Sequence, residues 1–308
     1  MDLRQLRYFV VLANQRHFGR AASVLHVAQP ALTRQIQLLE EELGVQLFVR
    51  HPRGAAPTEE AEYLLERASF LLRYAEQLKQ DMIALQHRPS GPIVVGVSPG
   101  LAITLAVPLT RAVHQRLPQV RLRFVEAFAP TLHDMLLGGQ VDLAILNGPV
   151  PLSNLQSYPF VTEDLCLICL PGDRRIKGPT VSLEQLAGLP LVMTGVAKSG
   201  IRLELEASAA HAGLHLNPVV EVETIEVAKR LVRDKVGVTV HFAAAVLDDI
   251  EAGRLAAYPI AGLHLRRILA HPSDRPASRA TQELVGMLGE VAAQLLRAGR
   301  WPNTVLDS

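Results

Sequence analysis

The chain has little of what stabilises small secreted proteins or anchors proteins in membranes. It contains two cysteines and one tryptophan in 308 residues, and aromatic residues make up 5% of it. Two cysteines cannot supply a disulfide framework. No run of about 18 apolar residues indicates a membrane span, and residues 1–7 lack the apolar core of a secretory signal. We therefore expect a cytoplasmic protein.

The chain also has almost no excess charge, with a formal net charge of +1. Residues 1–58 hold seven Lys and Arg against four Asp and Glu, whereas residues 59–90 hold four against six. Residues 91–308 are balanced at twenty of each. A surface that contacts phosphate is therefore expected on the first 58 residues.

Residues 18–58 predict two short helices joined by a tight turn, followed by a hairpin. Apolar spacing predicts a first helix over residues 2–15 and a second over residues 20–25. Pro30 suits the first position of a third helix, and Gly44 suits its C-terminal cap. Residues 45–50 and a return to Pro57 then predict a basic wing. This pattern is typical of a winged helix-turn-helix, whose recognition helix enters the DNA major groove.

The predicted third helix and wing carry side chains that suit DNA. Glutamine can pair with adenine, arginine with guanine, and Pro or Thr can contact a thymine methyl. Wing arginines suit phosphate or the minor groove. Any single arginine could instead be a solvated surface charge. The residues predicted to contact double-stranded DNA are Gln29, Pro30, Thr33, Arg34, Gln37, Arg50 and Arg53.

The segment of residues 59–90 predicts a long helix that packs on another helix. Thr58 can cap its start, and the breakers Pro89, Gly91 and Pro92 end it as a hinge. Its apolar residues alternate in spacing between three and four. They are Ala61, Leu64, Ala68, Leu71, Ala75, Leu78, Met82 and Leu85. The alternative is a helix that packs on its own domain, but no predicted element before residue 91 is available for it to pack against. We expect a dimerising helix.

After the linker, strands and helices alternate, which predicts a mainly parallel sheet covered on both faces. Strands are predicted at residues 93–97, 120–126, 141–146, 165–170, 191–194, 219–222, 236–240 and 267–270. Helices are predicted at residues 101–117, 131–137 and 278–296, with a loose tail over 303–308.

The sequence gives no sign of catalytic or metal chemistry. Cys166 and Cys169 lie three apart on a predicted strand, so they face opposite sides and suit neither a disulfide nor a shared metal. No His and Cys cluster completes a zinc site, and no glycine loop suits a phosphate. We expect two buried thiols, no metal, no cofactor and no enzyme activity.

A long ordered set of motifs runs through the first 59 residues. It comprises Leu6-Arg7-Tyr8-Phe9, Ala21-Ala22-x-x-Leu25, Gln29-Pro30-Ala31-Leu32-Thr33-Arg34-Gln35-Ile36, Leu39-Glu40-x-Glu42-Leu43-Gly44-Val45-x-Leu47-Phe48-x-Arg50 and Thr58-Glu59. This set resembles the DNA-binding domain of LysR-type transcriptional regulators. The resemblance continues through Val141-Asp142-Leu143-Ala144-Ile145 and Gly200-Ile201-Arg202. The chain departs from the family at Ala129, where a Ser is common.

The resemblance implies a domain order. Residues 1–58 would form the all-α winged domain, residues 59–90 the linker and dimerisation helix, and residues 91–303 an α/β effector domain. That domain would have two subdomains of the periplasmic-binding-protein type II kind, residues 91–161 with 268–300 and residues 162–267. The protein would bind an interrupted palindrome as a homodimer or homotetramer, through the linker helix and effector domains, with RNA polymerase as a further partner.

The effector would be a small molecule in the cleft between the subdomains. Strand C-terminal ends and helix N-termini are the expected lining of such a cleft. The residues nominated on this ground are Ser98, Thr131, Thr194, Lys198, Ser199, Arg202, Thr224 and His241. Hydroxyls and helix ends favour a carboxylate or similar anion, although each threonine also fits a helix cap.

Two other classes of protein compete with the regulator. A small-molecule binding protein of transport is disfavoured by the first 90 residues. An enzyme on the same fold would need a clustered acid, base or nucleophile, which the sequence does not show. We therefore predict a ligand-responsive regulator.

Overall fold

A computed structural model describes residues 1–51, 54–86, 89–147, 151–196 and 199–307. The chain divides into two compact units. The first unit comprises residues 1–86 with 138–140, and the second comprises the rest.

In its described residues, the first unit consists of helices and one antiparallel hairpin. The helices are α1 (Leu3–Gln15), α2 (Phe18–Val24), α3 (Gln29–Leu43) and α4 (Glu59–Gln86), and the hairpin strands are β1 (Phe48–His51) and β2 (Gly54–Pro57). Helix α2 begins earlier than predicted because the His17 ring nitrogen Nδ1 accepts the N–H groups of Gly19 and Arg20. A histidine cap of this kind is not among the common N-cap residues.

The core of the first unit forms where the apolar stripes of α1 and α3 meet. Leu32, Ile36 and Leu39 of α3 are buried with Phe9 and Leu12 of α1. The ring of Phe48 joins them from the hairpin, with its centroid 5.7 Å from Phe9 and 6.3 Å from Phe18. This packing turns the opposite face of α3 to solvent.

Two backbone contacts fix the hairpin. The Glu40 carboxylate oxygen Oε1 accepts the N–H groups of Leu47 at 2.8 Å and Phe48 at 3.1 Å. The Ala55 N–H donates to the Arg16 carbonyl at 2.9 Å. Gly54 has φ 144°, and a Cβ there would stand 2.3 Å from the Arg16 carbonyl oxygen, so the position requires glycine.

Helix α4 packs on its own unit over its first part. The Thr58 hydroxyl accepts the Ala61 N–H at 3.2 Å, as predicted for a cap. Ala61 and Ala68 are fully buried in the core that contains α1. The expectation that no element was left for α4 to pack on was therefore wrong, because α1 covers the first half of the apolar seam. Farther along, Leu78 and Met82 are more than half exposed.

The second unit is built on a mixed sheet flanked by helices. Its strands are β3 (Gly91–Val97), β4 (Val120–Glu126), β5 (Leu143–Asn147), β6 (Leu155–Cys169), β7 (Leu191–Thr194), β8 (Pro218–Val222), β9 (Val238–His241), β10 (Ala256–Pro272) and β11 (Thr304–Leu306). Its helices are α5 (Pro99–Arg116), α6 (Ala129–Leu137), α7 (Leu183–Ala187), α8 (Gly200–His211), α9 (Ile225–Arg233), α10 (Leu247–Glu251) and α11 (Arg279–Arg297), with a 3₁₀ turn at Ala243–Val246.

The strand order is β4-β3-β5-β10-β6-β9-β7-β8, with β11 paired to β6. Pairs at the two ends of the sheet are parallel, whereas β6 and β10 pair antiparallel with each other and with their other neighbours. The expected mainly parallel sheet is therefore mixed. The two central strands β6 and β10, which run against their neighbours, span 15 and 17 residues, far beyond the predicted segments 165–170 and 267–270.

The expected loose tail was wrong. Trp301 is 1% exposed, and its indole Nε1–H donates to a Glu163 carboxylate oxygen at 2.6 Å. Strand β11 pairs with β6, and Asp307 accepts the Thr162 hydroxyl at 2.8 Å. The C-terminal residues therefore form part of the sheet.

Cys166 and Cys169 are buried free thiols in different apolar clusters, as their spacing predicted. Burial raises the pKa of Cys166 to about 12 and that of Cys169 to about 11, which leaves both protonated. Within the described ranges, no group of His, Cys, Asp and Glu could hold a metal ion. The described helices include none long and apolar enough to cross a bilayer.

Candidate nucleic-acid interface and ligand cleft

The exposed face of α3 carries the polar residues predicted for DNA contact. Gln29, Pro30, Arg34 and Gln37 are exposed, and Thr33 is half-buried on the same side. The N-cap of α3 is Ala28, which provides no side-chain cap. Pro30 has no N–H, and the N–H groups of Ala31 and Leu32 donate to the Ala28 carbonyl at 3.0 and 3.2 Å, so the side chains are what this helix start offers to DNA.

The side chains of both wing arginines lie outside the described part of the structure. Arg50 lies in β1 opposite Ala55, but its side chain falls outside the described part of the structure. Arg53 lies wholly outside the described residues. The hairpin itself is held by Glu40 and Arg16, so a wing is present beside α3.

The second unit contains a cleft of about 300 Å³. It lies where the C-terminal ends of β3, β5, β7 and β9 meet the starts of α5, α8 and α9. This is the position where α/β sheets commonly bind small ligands. A cavity of this size lies at the small end of ligand pockets, which span about 300–1,000 Å³.

Five of the eight nominated effector residues line the cleft. They are Ser98, Thr194, Ser199, Thr224 and His241. Thr131 is exposed in the first turn of α6 and is not among the lining residues. Arg202 is also not among them, and Lys198 lies outside the described residues.

Arg202 forms ion pairs with two carboxylates of its own unit. Its Nε donates to Glu206 at 2.7 Å and its Nη1 to Glu221 at 2.6 Å. The hydrogen bonds to Glu221 and Glu206 raise the pKa of Arg202 above its usual range. This guanidinium therefore stabilises the start of α8 beside β8.

Several residues of the cleft were not predicted from the sequence. They include Ile103, Glu126, Phe128, Asn147, Glu223, Glu226 and Phe242. Asn147 ends β5, so the rule that nominated Ser98 could have found it. Ile103 and Phe128 also lie near helix starts, but the rule selected polar side chains and so did not nominate them.

Three helix starts face the cleft. Helices α5, α8 and α9 are 18, 12 and 9 residues long, and the first residues of each are part of the lining. The N-cap hydroxyls of Ser98 and Ser199 make no cap hydrogen bond, whereas Thr224 caps the Val227 N–H. Helix starts carry partial positive charge, so the cleft favours an anionic group.

Two buried polar atoms in the cleft find no hydrogen-bond partner among the described residues. They are Oγ of Ser199 and Nδ1 of His241, whose residues are 3% and 8% exposed. An unsatisfied buried polar atom costs about 1–3 kcal/mol. A bound ligand that hydrogen-bonds to these atoms would recover that cost.

The His241 ring is neutral at physiological pH. Burial, followed by the charge of Arg267, lowers the pKa of His241 to about 4. Lys229 lowers it further, and a backbone hydrogen bond at Phe242 opposes the change. A Cβ on Gly100 would stand 2.4 Å from the His241 ring, so glycine is required for the ring to lie there.

A buried ion pair lies next to the cleft. Arg267 of β10 pairs with Glu163 of β6, and both side chains are at most 3% exposed. The Arg267 guanidinium lies 4.4 Å from the centroid of the Phe242 ring, and its Nη1 is 3.4 Å from the Ser98 hydroxyl. Trp301 donates to the same glutamate. The two long strands, the cleft and the C-terminal segment therefore share one polar cluster.

Two family models match the chain. The model described as "Bacterial regulatory helix-turn-helix protein, lysR family" matches residues 3–62, and the model "LysR substrate binding domain" matches residues 86–293. The chain is 31% identical to the nitrogen assimilation regulatory protein nac of Klebsiella aerogenes over 291 residues, covering 92% of this chain and 94% of the relative. It is 30% identical to the HTH-type transcriptional regulator BbuR of Bordetella bronchiseptica over 308 residues, covering 98% and 94%.

Solved structures share the fold at lower identity. A full-length OxyR variant from Pseudomonas aeruginosa is 24% identical, covers 94% of each chain and has a TM-score of 0.71. CbnR, a LysR family regulator solved with its target DNA, is 22% identical, covers 96% of this chain and 99% of its own, and has a TM-score of 0.70.

Proposed function

The chain belongs to the LysR family of transcriptional regulators, and we propose on that premise that a small metabolite with an anionic group switches it. The protein is a DNA-binding regulator with an effector-binding domain, and its family consists of regulators rather than enzymes. It binds DNA and a small-molecule effector and forms oligomers. The effector's chemistry is the part proposed here.

The observation that carries the proposal is the set of helix starts in the cleft. The starts of α5 and α8 have N-cap hydroxyls that make no cap bond, and Ser199 also has a buried Oγ without a partner among the described residues. Backbone N–H groups and hydroxyls are donors that hold a carboxylate.

For DNA, we propose that α3 reads an interrupted palindrome through Gln29, Thr33, Arg34 and neighbouring residues, with the wing on the backbone. The exposed half of the α4 seam, which includes Leu78 and Met82, suits a second copy of the chain as a homodimer or within a homotetramer. We place the protein in the cytoplasm, where DNA and RNA polymerase are accessible, and assign it no cofactor.

Isothermal titration calorimetry of the full chain with a panel of small carboxylates tests the effector proposal. We expect at least one carboxylate to bind, and Ser199→Ala to weaken its binding about tenfold, which corresponds to one hydrogen bond to a charged group. Thr131→Val is the matched control, because Thr131 is exposed outside the lining. If no carboxylate binds, or if Ser199→Ala binds as tightly as wild type, the proposal fails.

A further inference from the structure

The cleft carries negative charge as well as helix starts. Glu126, Glu223 and Glu226 are part of its lining. Glu226 is paired with Lys229 at 2.9 Å, whereas Glu126 and Glu223 make no ion pair within the described residues. No Lys or Arg side chain is among the described residues that line the cleft. An effector with negative charge alone would therefore meet two carboxylates that make no ion pair within the described residues.

The helix starts that line the cleft differ in charge. Helices α5 and α8 have no acidic residue in their first turns, and neither N-cap hydroxyl makes a cap hydrogen bond, although the Ser98 hydroxyl accepts one from Arg267. Helix α9 differs, because Glu226 lies in its first turn and Thr224 caps it. The positive end of α9 is therefore already balanced by its own carboxylate. An anionic group is best placed at the starts of α5 and α8, and a cationic group at the carboxylates of Glu126 and Glu223.

The two unpartnered buried atoms supply one hydrogen-bond donor and one acceptor for such a ligand. Oγ of Ser199 lies at the start of α8, where it can donate to a carboxylate. Nδ1 of His241 belongs to a ring that is neutral at physiological pH, so it can accept a hydrogen bond from an ammonium group when the proton is on Nε2. Both atoms are buried and lack a partner among the described residues, so a bound ligand would provide their missing hydrogen bonds.

The remaining lining is apolar. Ile103, Phe128 and Phe242 contribute side chains to a cavity of about 300 Å³. These walls suit a small hydrocarbon or aromatic group rather than a second charged group.

We propose that the effector is a small zwitterion of the α-amino-acid type, with its carboxylate at the starts of α5 and α8 and its ammonium group at Glu126 and Glu223. An apolar side chain would contact Ile103, Phe128 and Phe242. This inference rests on the proposed function, since it specifies the chemistry of the same effector site.

The test is isothermal titration calorimetry of the full chain with each of the twenty standard amino acids. The best binder is then compared with the α-hydroxy acid that has the same side chain, and with the methyl ester of the amino acid. We expect the amino acid to bind at least tenfold more tightly than both analogues. Glu223→Gln should reduce the preference for the amino acid over the hydroxy acid severalfold, whereas Glu184→Gln, the same change at a residue outside the lining, should leave it unchanged.

Each contrary result has a distinct meaning. The zwitterion proposal is overturned if no amino acid binds while simple carboxylates do, or if the hydroxy acid binds as tightly as the amino acid. In both cases the proposal of an anionic effector stands. If the methyl ester binds as tightly as the amino acid, the carboxylate is not recognised, and both proposals are overturned.

Discussion

Replacing Glu163 by glutamine leaves the Arg267 guanidinium buried without the carboxylate that neutralises it. The two side chains are 3% and 1% exposed, so water cannot take over the role of the lost charge. The glutamine keeps the shape of the side chain but has one acceptor oxygen, whereas the two Glu163 oxygens accept separately from Trp301 and Arg267. The perturbation therefore removes the negative charge and one hydrogen-bond acceptor.

The magnitude follows from the burial of the pair. Removing one partner of a buried ion pair typically costs about 3–5 kcal/mol, because the remaining charge stays desolvated. Because one of the two donors also loses its acceptor, we expect a loss of at least about 3 kcal/mol. The double variant Glu163→Gln/Arg267→Met removes both charges and should recover most of that loss.

Urea unfolding of the full chain measures the effect, with fluorescence of Trp301, the chain's single tryptophan, as the probe. A loss of about 3 kcal/mol lowers the unfolding midpoint by about 1 M for an m-value near 3 kcal/mol per M. Glu290→Gln is the control, because it breaks an exposed pair with Arg116 and should cost less than about 1 kcal/mol. A Glu163→Gln variant that loses no more than this control would refute the reasoning.

Three other predictions concern the DNA face, the linker helix and the cleft. Arg34→Ala should weaken specific operator binding by about 1–3 kcal/mol in fluorescence anisotropy at moderate salt, and an equal loss in the control Arg121→Ala would show that only net charge matters. Leu78→Glu should weaken self-association at least tenfold in sedimentation velocity, because it places a charge in the exposed seam, and Lys79→Glu beside the seam is its control. Because the pKa of His241 falls from 6.5 to about 4 on folding, the unfolded chain takes up this proton first as the pH drops. Stability should therefore decrease by about 3 kcal/mol between pH 7 and pH 4 relative to His241→Gln, and parallel urea midpoints of the two proteins across that range would contradict it.

Local sequence patterns predicted most of the helices and strands. Helix α3 was identified from the apolar stripe of Leu32, Ile36 and Leu39 and from the cap at Gly44. Both features depend only on residues close together in the sequence. The lengths of β6 and β10 were not predictable in the same way. Both strands contain charged residues, among them Glu163 and Arg267, which look exposed in sequence and are buried only because they pair with each other.

The candidate site was predictable where it follows strand ends and helix starts, as at Ser98, Ser199 and Thr224. It was not predictable where residues distant in sequence meet. Phe128 is apolar, so a rule that selects polar side chains at helix starts does not nominate it. Residues 303–308 looked loose because three residues of strand are too short for a periodic pattern.

The most direct test of the account is a DNase I footprint of the full chain on the DNA upstream of its own coding sequence. It should be recorded without and with a saturating concentration of the ligand found by calorimetry. The account predicts two protected half-sites separated by a whole number of helical turns, and a change in the extent of protection when the ligand is added. A footprint that is identical at ligand saturation, or no protection beyond that seen on competitor DNA, would contradict it.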